Sequence, residues 1–203
     1  MKEQYSTADN LNIRISIHKK YSVNKKGFWN WIFSNYQIED GMSVLELGCG
    51  TGEMWIGKDD LIKRCSTLIL SDQSEGMLSM AKANLREYDR IEYRAADIQD
   101  IPFSDGQFDI IIANMMLYHV PDLSKGLQEV HRVLKENGTF YCATYGENGI
   151  KEHIELLFDD FPISSIYNYN FTLQNGKEKL KRYFPNVENG CMKIPSKSQM
   201  QMT

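Results

Sequence analysis

The run Val44-Leu-Glu-Leu-Gly-Cys-Gly-Thr-Gly52 decides the fold. Its opening residues, Ser43 to Leu47, read as a short buried strand, and three glycines follow at once. Gly48, Gly50 and Gly52 permit a tight turn with positive φ and let a ligand lie against bare backbone. Amides at the start of the next helix then receive a carboxylate or other polar group. The spacing is GxGxG; a dinucleotide site prefers GxGxxG, whose third glycine would fall at Glu53 instead of Gly52. Glu46, just before the turn, suits a cationic amine or sulfonium and would repel a pyrophosphate. The turn alone still fits several nucleotide binders.

Outward from this turn, short β-branched runs alternate with amphipathic stretches, the pattern of βα units that feed a parallel sheet. Strands are expected at Ser43 to Leu47, Thr67 to Ser71, Ile91 to Arg94, Phe108 to Ala113 and Thr139 to Ala143. Ser74 N-caps a helix with Met77, Leu78, Ala81 and Leu85 on one face. Leu123, Leu127, Val130 and Leu134 make a second such face, which Gly138 should end as a C-cap. Upstream, Phe28, Trp31, Ile32 and Tyr36 form an apolar stripe that stops before the turn Glu39-Asp40-Gly41. The expected fold class is α/β, Rossmann-like and doubly wound, a mainly parallel sheet with helices on both faces.

Two further strand exits carry carboxylates. Asp72 stands about 20 residues beyond the glycines, where it could accept both hydroxyls of a ribose. NAD sites use the same device, and read alone Asp72 is equally a helix-capping residue. Asp97 follows the third strand directly, placed to accept from an adenine exocyclic amine while the backbone and side chain of Ile98 cover the ring. Three acidic strand ends thus converge on one crevice, where open α/β sheets bind their ligands.

With these residues in place, the sequence resembles the class I S-adenosylmethionine (SAM)-dependent methyltransferases, particularly their small-molecule branch. The resemblance runs from about Gly27 to Gly138 and includes Glu46 to Gly52, Asp72-x-Ser-x-x-Met77, Ala96-Asp97 with Ile101-Pro-Phe, Phe108 to Asp122, and Leu127 to Gly138. It implies SAM as cofactor and S-adenosylhomocysteine as product. It further implies Gly48 and Gly50 against the methionine portion, Asp72 on the ribose, Asp97 and Ile98 around adenine and Asn114 near the methionyl moiety, with Glu46, Cys49, Gln73 and Met77 also among the cofactor-binding residues. Family members often close an aromatic or basic residue from the N-terminal helices over the cofactor, for which Tyr21 is the candidate. Where the family usually has Pro-Gly-Gly, this chain has Glu136-Asn-Gly138. Two rivals remain: a SAM-binding protein without catalytic activity, and a nicotinamide-dependent oxidoreductase, which would call for the GxGxxG turn.

The expected reaction is in-line transfer of a methyl group to a small molecule, driven largely by alignment in a dry pocket. If the acceptor needs a base, His119 in Leu117-Tyr-His-Val-Pro is the candidate, since it titrates near neutrality. Tyr118 is its neighbour, and both read equally as packing residues. His18 and His131 read as surface residues. Asn114-Met-Met-Leu lacks the Pro-Pro aromatic clamp of nucleic-acid amino-methyltransferases, no Pro-Cys nucleophile is present, and no cluster has metal-ligand spacing. Tyr167 to Phe171 could cap the substrate or simply pack.

Composition is consistent with one ordinary globular domain: 203 residues, 42% hydrophobic and 25% charged. The net charge of −4, with Lys and Arg scattered, gives no basic stripe for nucleic acid. No apolar signal core opens the chain, so a cytoplasmic protein with no membrane partner is expected. Cys49, Cys65, Cys142 and Cys191 form no CxxC pair and read as reduced thiols. The domain is expected over 1–188, with N-terminal helices 1–40 as a lid and an anomalous tail at 189–203. That tail is rich in Met, Lys, Ser and Gln and follows neither period. A neighbouring reading frame can encode a polar–apolar alternation here, which suggests a frameshift near Val187 and the loss of the sheet's final edge strands. A disordered or tag-like tail is the other reading. An intact single frame running into a natural stop, read from the source DNA, would sink the frameshift.

Overall fold

In the computed structural model, residues 27–147 and 169–192 are described. Five strands, β1 (Ser43–Leu47), β2 (Thr67–Asp72), β3 (Ile91–Ala95), β4 (Phe108–Asn114) and β5 (Leu134–Ala143), form one sheet in the order β3-β2-β1-β4-β5. Every neighbouring pair is parallel. The chain builds outward from β1 through β2 to β3, then returns to the other side of β1 for β4 and β5. The reversal opens a crevice beyond the carboxyl ends of β1 and β4.

Strand alternation gives the sheet two apolar faces. Leu45 and Leu47 of β1, Ile69 of β2, and Ile111 and Ala113 of β4 enter one cluster. Val44, Leu68, Leu70, Ile110 and Ile112 enter the other. A parallel sheet must be covered on both sides, and helices supply the cover. The first face receives α4 (Leu123–Val133) and α5 (Gly176–Leu180), and the second receives α1 (Phe28–Phe33), α2 (Asp59–Arg64) and α3 (Glu75–Asn84). In α3 the Ser74 Oγ accepts from the Met77 amide at 3.3 Å, and Met77, Leu78 and Ala81 are buried together with Leu85 at the C-cap. In α4 the Asp122 carboxylate accepts from the Lys125 amide at 3.0 Å. Caps of this kind contribute ~1 kcal/mol each. Short α2 and α5 carry too few residues for a periodic signal, and the sequence reading did not anticipate them.

Two boundaries differ from expectation. The upstream stripe is helical only to Phe33, because the Ser34 and Asn35 side chains both bond to the Trp31 carbonyl at 2.7 Å; Tyr36 lies past the helix. More consequentially, Gly138 does not cap α4. Leu134 is the C-cap residue, with extended backbone (φ −76°, ψ 137°), and it pairs at once with Phe108. The ladder then jumps from Phe108–Leu134 to Ile110–Thr139, so β5 advances five residues while β4 advances two. Gly138 serves close approach instead: a Cβ there would meet Leu134 Cδ1 at 2.8 Å and the Asp109 carbonyl oxygen at 3.0 Å.

Among the described residues, none after β5 lies in a strand. The frameshift reading concerns the tail, whose last residues, 193–203, lie outside the described ones, as do Tyr21, His18 and Tyr167. Phe171, by contrast, is a core residue at 2% exposure, in close packing with Gly176.

Candidate functional site

The glycine turn closes as its sequence requires: Gly48, Gly50 and Gly52 have φ of 70°, 55° and 70°. The Cys49 amide donates to the Ser71 carbonyl at 2.9 Å, and the Gly52 amide to the Cys49 carbonyl at 3.0 Å, so the turn lies over the end of β2. Gly48 approaches the Met116 side chain and Gly52 the Leu85 side chain so closely that an added Cβ would stand 3.0 Å and 2.8 Å from them.

Asp72, the last residue of β2, holds this turn to the next helix. One carboxylate oxygen accepts from the Gly50 amide at 3.0 Å and the other from the Ser74 amide at 2.9 Å. Burial raises its pKa, and these backbone donors pull it back. The capping role thus falls on a side chain that also ties the glycine turn to the strand end. Glu46 is buried at 2% exposure and accepts from the Trp55 indole N–H at 2.7 Å through Oε2. Burial pushes its carboxyl up to about 7, against the Trp55 hydrogen bond and with the help of the Asp72 charge.

Asp97 follows β3 and is half-buried. Its Oδ1 accepts from the Gln99 amide at 2.8 Å, and the Gln99 side-chain amide lies 3.2 Å from both oxygens. The Gln99 side-chain Oε1 in turn accepts from the Asp122 backbone amide at 3.0 Å, tying Asp97 to the start of α4. Ile98 is 3% exposed and packs toward Gly126 in the core, so its backbone, more than its side chain, is left to face a base.

At the end of β4, Asn114 is buried and shares a pair of contacts with the Tyr36 hydroxyl, which donates to Oδ1 at 3.0 Å and accepts from Nδ2 at 2.8 Å. Burial raises the Tyr36 hydroxyl far above its ordinary range. Met115 follows with φ of 54°, a left-handed backbone that non-glycine residues adopt at a cost of ~1–2 kcal/mol. Tyr118 and His119 sit on a turn of 3-10 helix (Leu117–His119), ring centroids 4.4 Å apart, with Tyr145 4.7 Å from Tyr118.

Of the remaining expected site residues, Gln73 is exposed beside Asp72, Met77 is buried at 3%, and Cys49 is buried with its thiol pushed well above the usual range. The Cys142 thiol is pushed up to about 12 by burial. Neither thiol is an activated nucleophile. Sequence reasoning missed Trp55, Tyr36 and Gln99 as site-shaping residues. Tyr36 was visible only as an apolar stripe position, and nothing in local spacing marks Trp55 as the partner of Glu46.

A family model described as a methyltransferase domain matches residues 45–142. The demethylmenaquinone methyltransferase of Staphylococcus saprophyticus is 26% identical over 206 residues, covering 93% of this chain and 85% of that protein. Residues 45–142 of this chain make a methyltransferase domain of the class I SAM-dependent type. The demethylmenaquinone methyltransferase of Lactococcus lactis is 36% identical over 104 residues, half of this methyltransferase chain but only 41% of that protein. Among solved structures, a chain of the Haloferax volcanii complex between the Trm112 methyltransferase activator and a methyltransferase superposes with a TM-score of 0.67 at 22% identity, covering 89% of this chain and 74% of that one. This likeness shows the shared Rossmann-like fold. The cofactor of the family is SAM, and the GxGxG turn with three acidic strand ends suits it where it would disfavour a dinucleotide.

Proposed function

We propose that this methyltransferase binds SAM across the carboxyl ends of β1, β2, β3 and β4 and methylates a small, flat organic acceptor, and that it works in the cytoplasm. The observation that carries the reading is the placement of Glu46, Asp72 and Asp97 at successive parallel strand ends around a glycine turn that Asp72 itself holds. Such a crevice is acidic, which favours a cationic ligand and opposes a pyrophosphate. No helix among the described residues is long and apolar enough to cross a membrane.

Each residue takes a role by position. Gly48 and Gly50 present bare backbone to the amino-acid portion, and Cys49 lines the turn between them. Glu46 receives the ammonium, Asp72 the ribose hydroxyls, with Gln73 and Met77 beside them, and Asp97 the adenine amine against the Ile98 backbone. Asn114, oriented by Tyr36, borders the methionyl end. Bound SAM supplies a methyl group already activated by its sulfonium. The protein's task is then to exclude water and align the acceptor, which Tyr118, His119 and Tyr145 border with aromatic faces. His119 removes a proton where the acceptor carries one. The relatives named for demethylmenaquinone methylation support a ring system of quinone type as acceptor. We take 1–188 as a single domain.

Titration calorimetry with SAM and NAD, followed by assay of S-adenosylhomocysteine formation over hydroxylated aromatic and quinol acceptors, tests the proposal. SAM binding with turnover is expected. NAD binding without SAM binding would overturn it, and SAM binding without turnover on any acceptor would restore the reading of an inactive binder.

A further inference from the structure

The contact between Trp55 and Glu46 goes beyond the residues so far given roles. Trp55 is fully buried, at 0% exposure, on the 3-10 turn Glu53–Trp55 that follows the glycines. A buried indole N–H needs an acceptor, and this one takes Glu46 Oε2 at 2.7 Å, the distance of a charge-assisted bond. No hydrogen bond among the described residues takes up the other oxygen, Oε1. The carboxylate is thereby fixed in rotation, with one oxygen committed to the protein and one left over. Trp55 is itself held from outside the turn: the Phe33 ring of α1 stands 5.3 Å away in an edge-on arrangement, and Lys58 lies 5.0 Å from the centre of that Phe33 ring.

We infer that Trp55 is the positioning residue for the cationic end of the cofactor, acting through Glu46: its N–H holds Oε2 so that Oε1 faces the ammonium. This rests on the assignment of Glu46 to the SAM ammonium made above. A carboxylate free to rotate, or protonated, would present the ammonium with a weaker and less directed acceptor. Three titratable groups share the neighbourhood of Glu46: Asp72 at the end of β2, Cys49 in the turn, and Tyr36 ahead of β1. Cys49 and Tyr36 are held protonated by burial, so Asp72 is the one other group that titrates near Glu46.

The test compares two ligands that share adenosine but differ in the amino-acid tail, SAM and 5′-methylthioadenosine, on the full-length protein. In Trp55→Phe, SAM affinity at neutral pH should fall about tenfold, as for loss of one charge-assisted hydrogen bond. Methylthioadenosine affinity should change less than about twofold, since that ligand has no ammonium for the bond to serve. The decline of SAM affinity on acidification, centred near 7 in the parent protein, should move to higher pH in the variant, because Glu46 has lost the donor that favours its charged form. Methylthioadenosine measured over the same range isolates the contribution of Asp72. In a Glu46→Gln background, Trp55→Phe should have no further effect on SAM. Incorporation of benzothienylalanine at position 55, which keeps the bicyclic shape and removes only the N–H, gives the same comparison should the phenylalanine variant fold poorly. Equal losses for both ligands, an unchanged SAM affinity, or a full loss that persists in the Glu46→Gln background would each overturn the inference. Failure of the parent protein to bind SAM at all would instead overturn the proposed function.

Discussion

Replacing Glu46 by glutamine should make the ligand-free protein more stable and a poorer binder of SAM. The buried carboxyl has its pKa raised from 4.5 to about 7, chiefly by desolvation. The folded state therefore holds a proton on Glu46 over a range of pH in which the unfolded chain has released it, and stability falls as pH rises through that window. At ~1.36 kcal/mol for each pH unit between 4.5 and about 7, the charged form costs on the order of 3 kcal/mol above pH 7. Glutamine removes that charge while its carbonyl oxygen still accepts from the Trp55 indole. The difference in unfolding free energy between variant and parent, from urea titrations at a series of pH values, should be flat below about 4.5, rise to about 7, and then level off near 3 kcal/mol. For a chain of this size that is a gain of roughly 6–12 °C in Tm. Asp72 titrates in both proteins, and its charge enters the difference through its contribution to the Glu46 shift. Parallel stability curves, with no change of the difference across the window, would refute the reasoning.

Three further outcomes follow from the same geometry. Asp72→Ala should weaken SAM binding by on the order of 1–3 kcal/mol and lower stability as well, since the Gly50 and Ser74 amides lose their acceptor; calorimetry and thermal unfolding read the two effects, and unchanged affinity would remove Asp72 from the site. Gly52→Ala combines a left-handed backbone with a Cβ 2.8 Å from Leu85 and 3.2 Å from the Ala81 Cβ, so urea unfolding should show a loss of about 3 kcal/mol; a loss under about 1 kcal/mol would contradict the packing described. His119→Asn should lower kcat while leaving the SAM Kd within about twofold; an unchanged kcat would make His119 a packing residue only.

What the sequence made legible was whatever local spacing controls. All five strands were placed from apolar runs between turn signals, the β1 limits without error. The GxGxG turn and the acidic strand ends marked the crevice because backbone conformation and strand-end chemistry are set by neighbouring residues. The end of α4 was missed because Gly138 answers to a tertiary demand, the approach of Asp109 and Leu134, which mimics a capping signal in one dimension. Trp55 and Tyr36 were missed as site-shaping residues for a related reason. Each bonds to a carboxylate or amide from another part of the fold, Glu46 nine positions away and Asn114 seventy-eight positions away. No periodicity records such pairings.

The step in the β4–β5 ladder has a consequence for how this chain can be altered. Between Leu134 and Thr139 the chain carries three more residues than the facing stretch of β4 requires, and Lys135, Glu136 and Asn137 are exposed or nearly so. Just beside this loop of slack, Asp109 receives the Ser43 amide at 2.8 Å and Lys135 Nζ at 2.8 Å, clamping the starts of β1, β4 and β5. The sheet thus keeps its alignment from that clamp and from the pairs above it, not from the length of the connection. Here, at the end of the sheet remote from the glycine turn, a tag or grafted peptide inserted between Glu136 and Asn137 should leave the far strand ends in place.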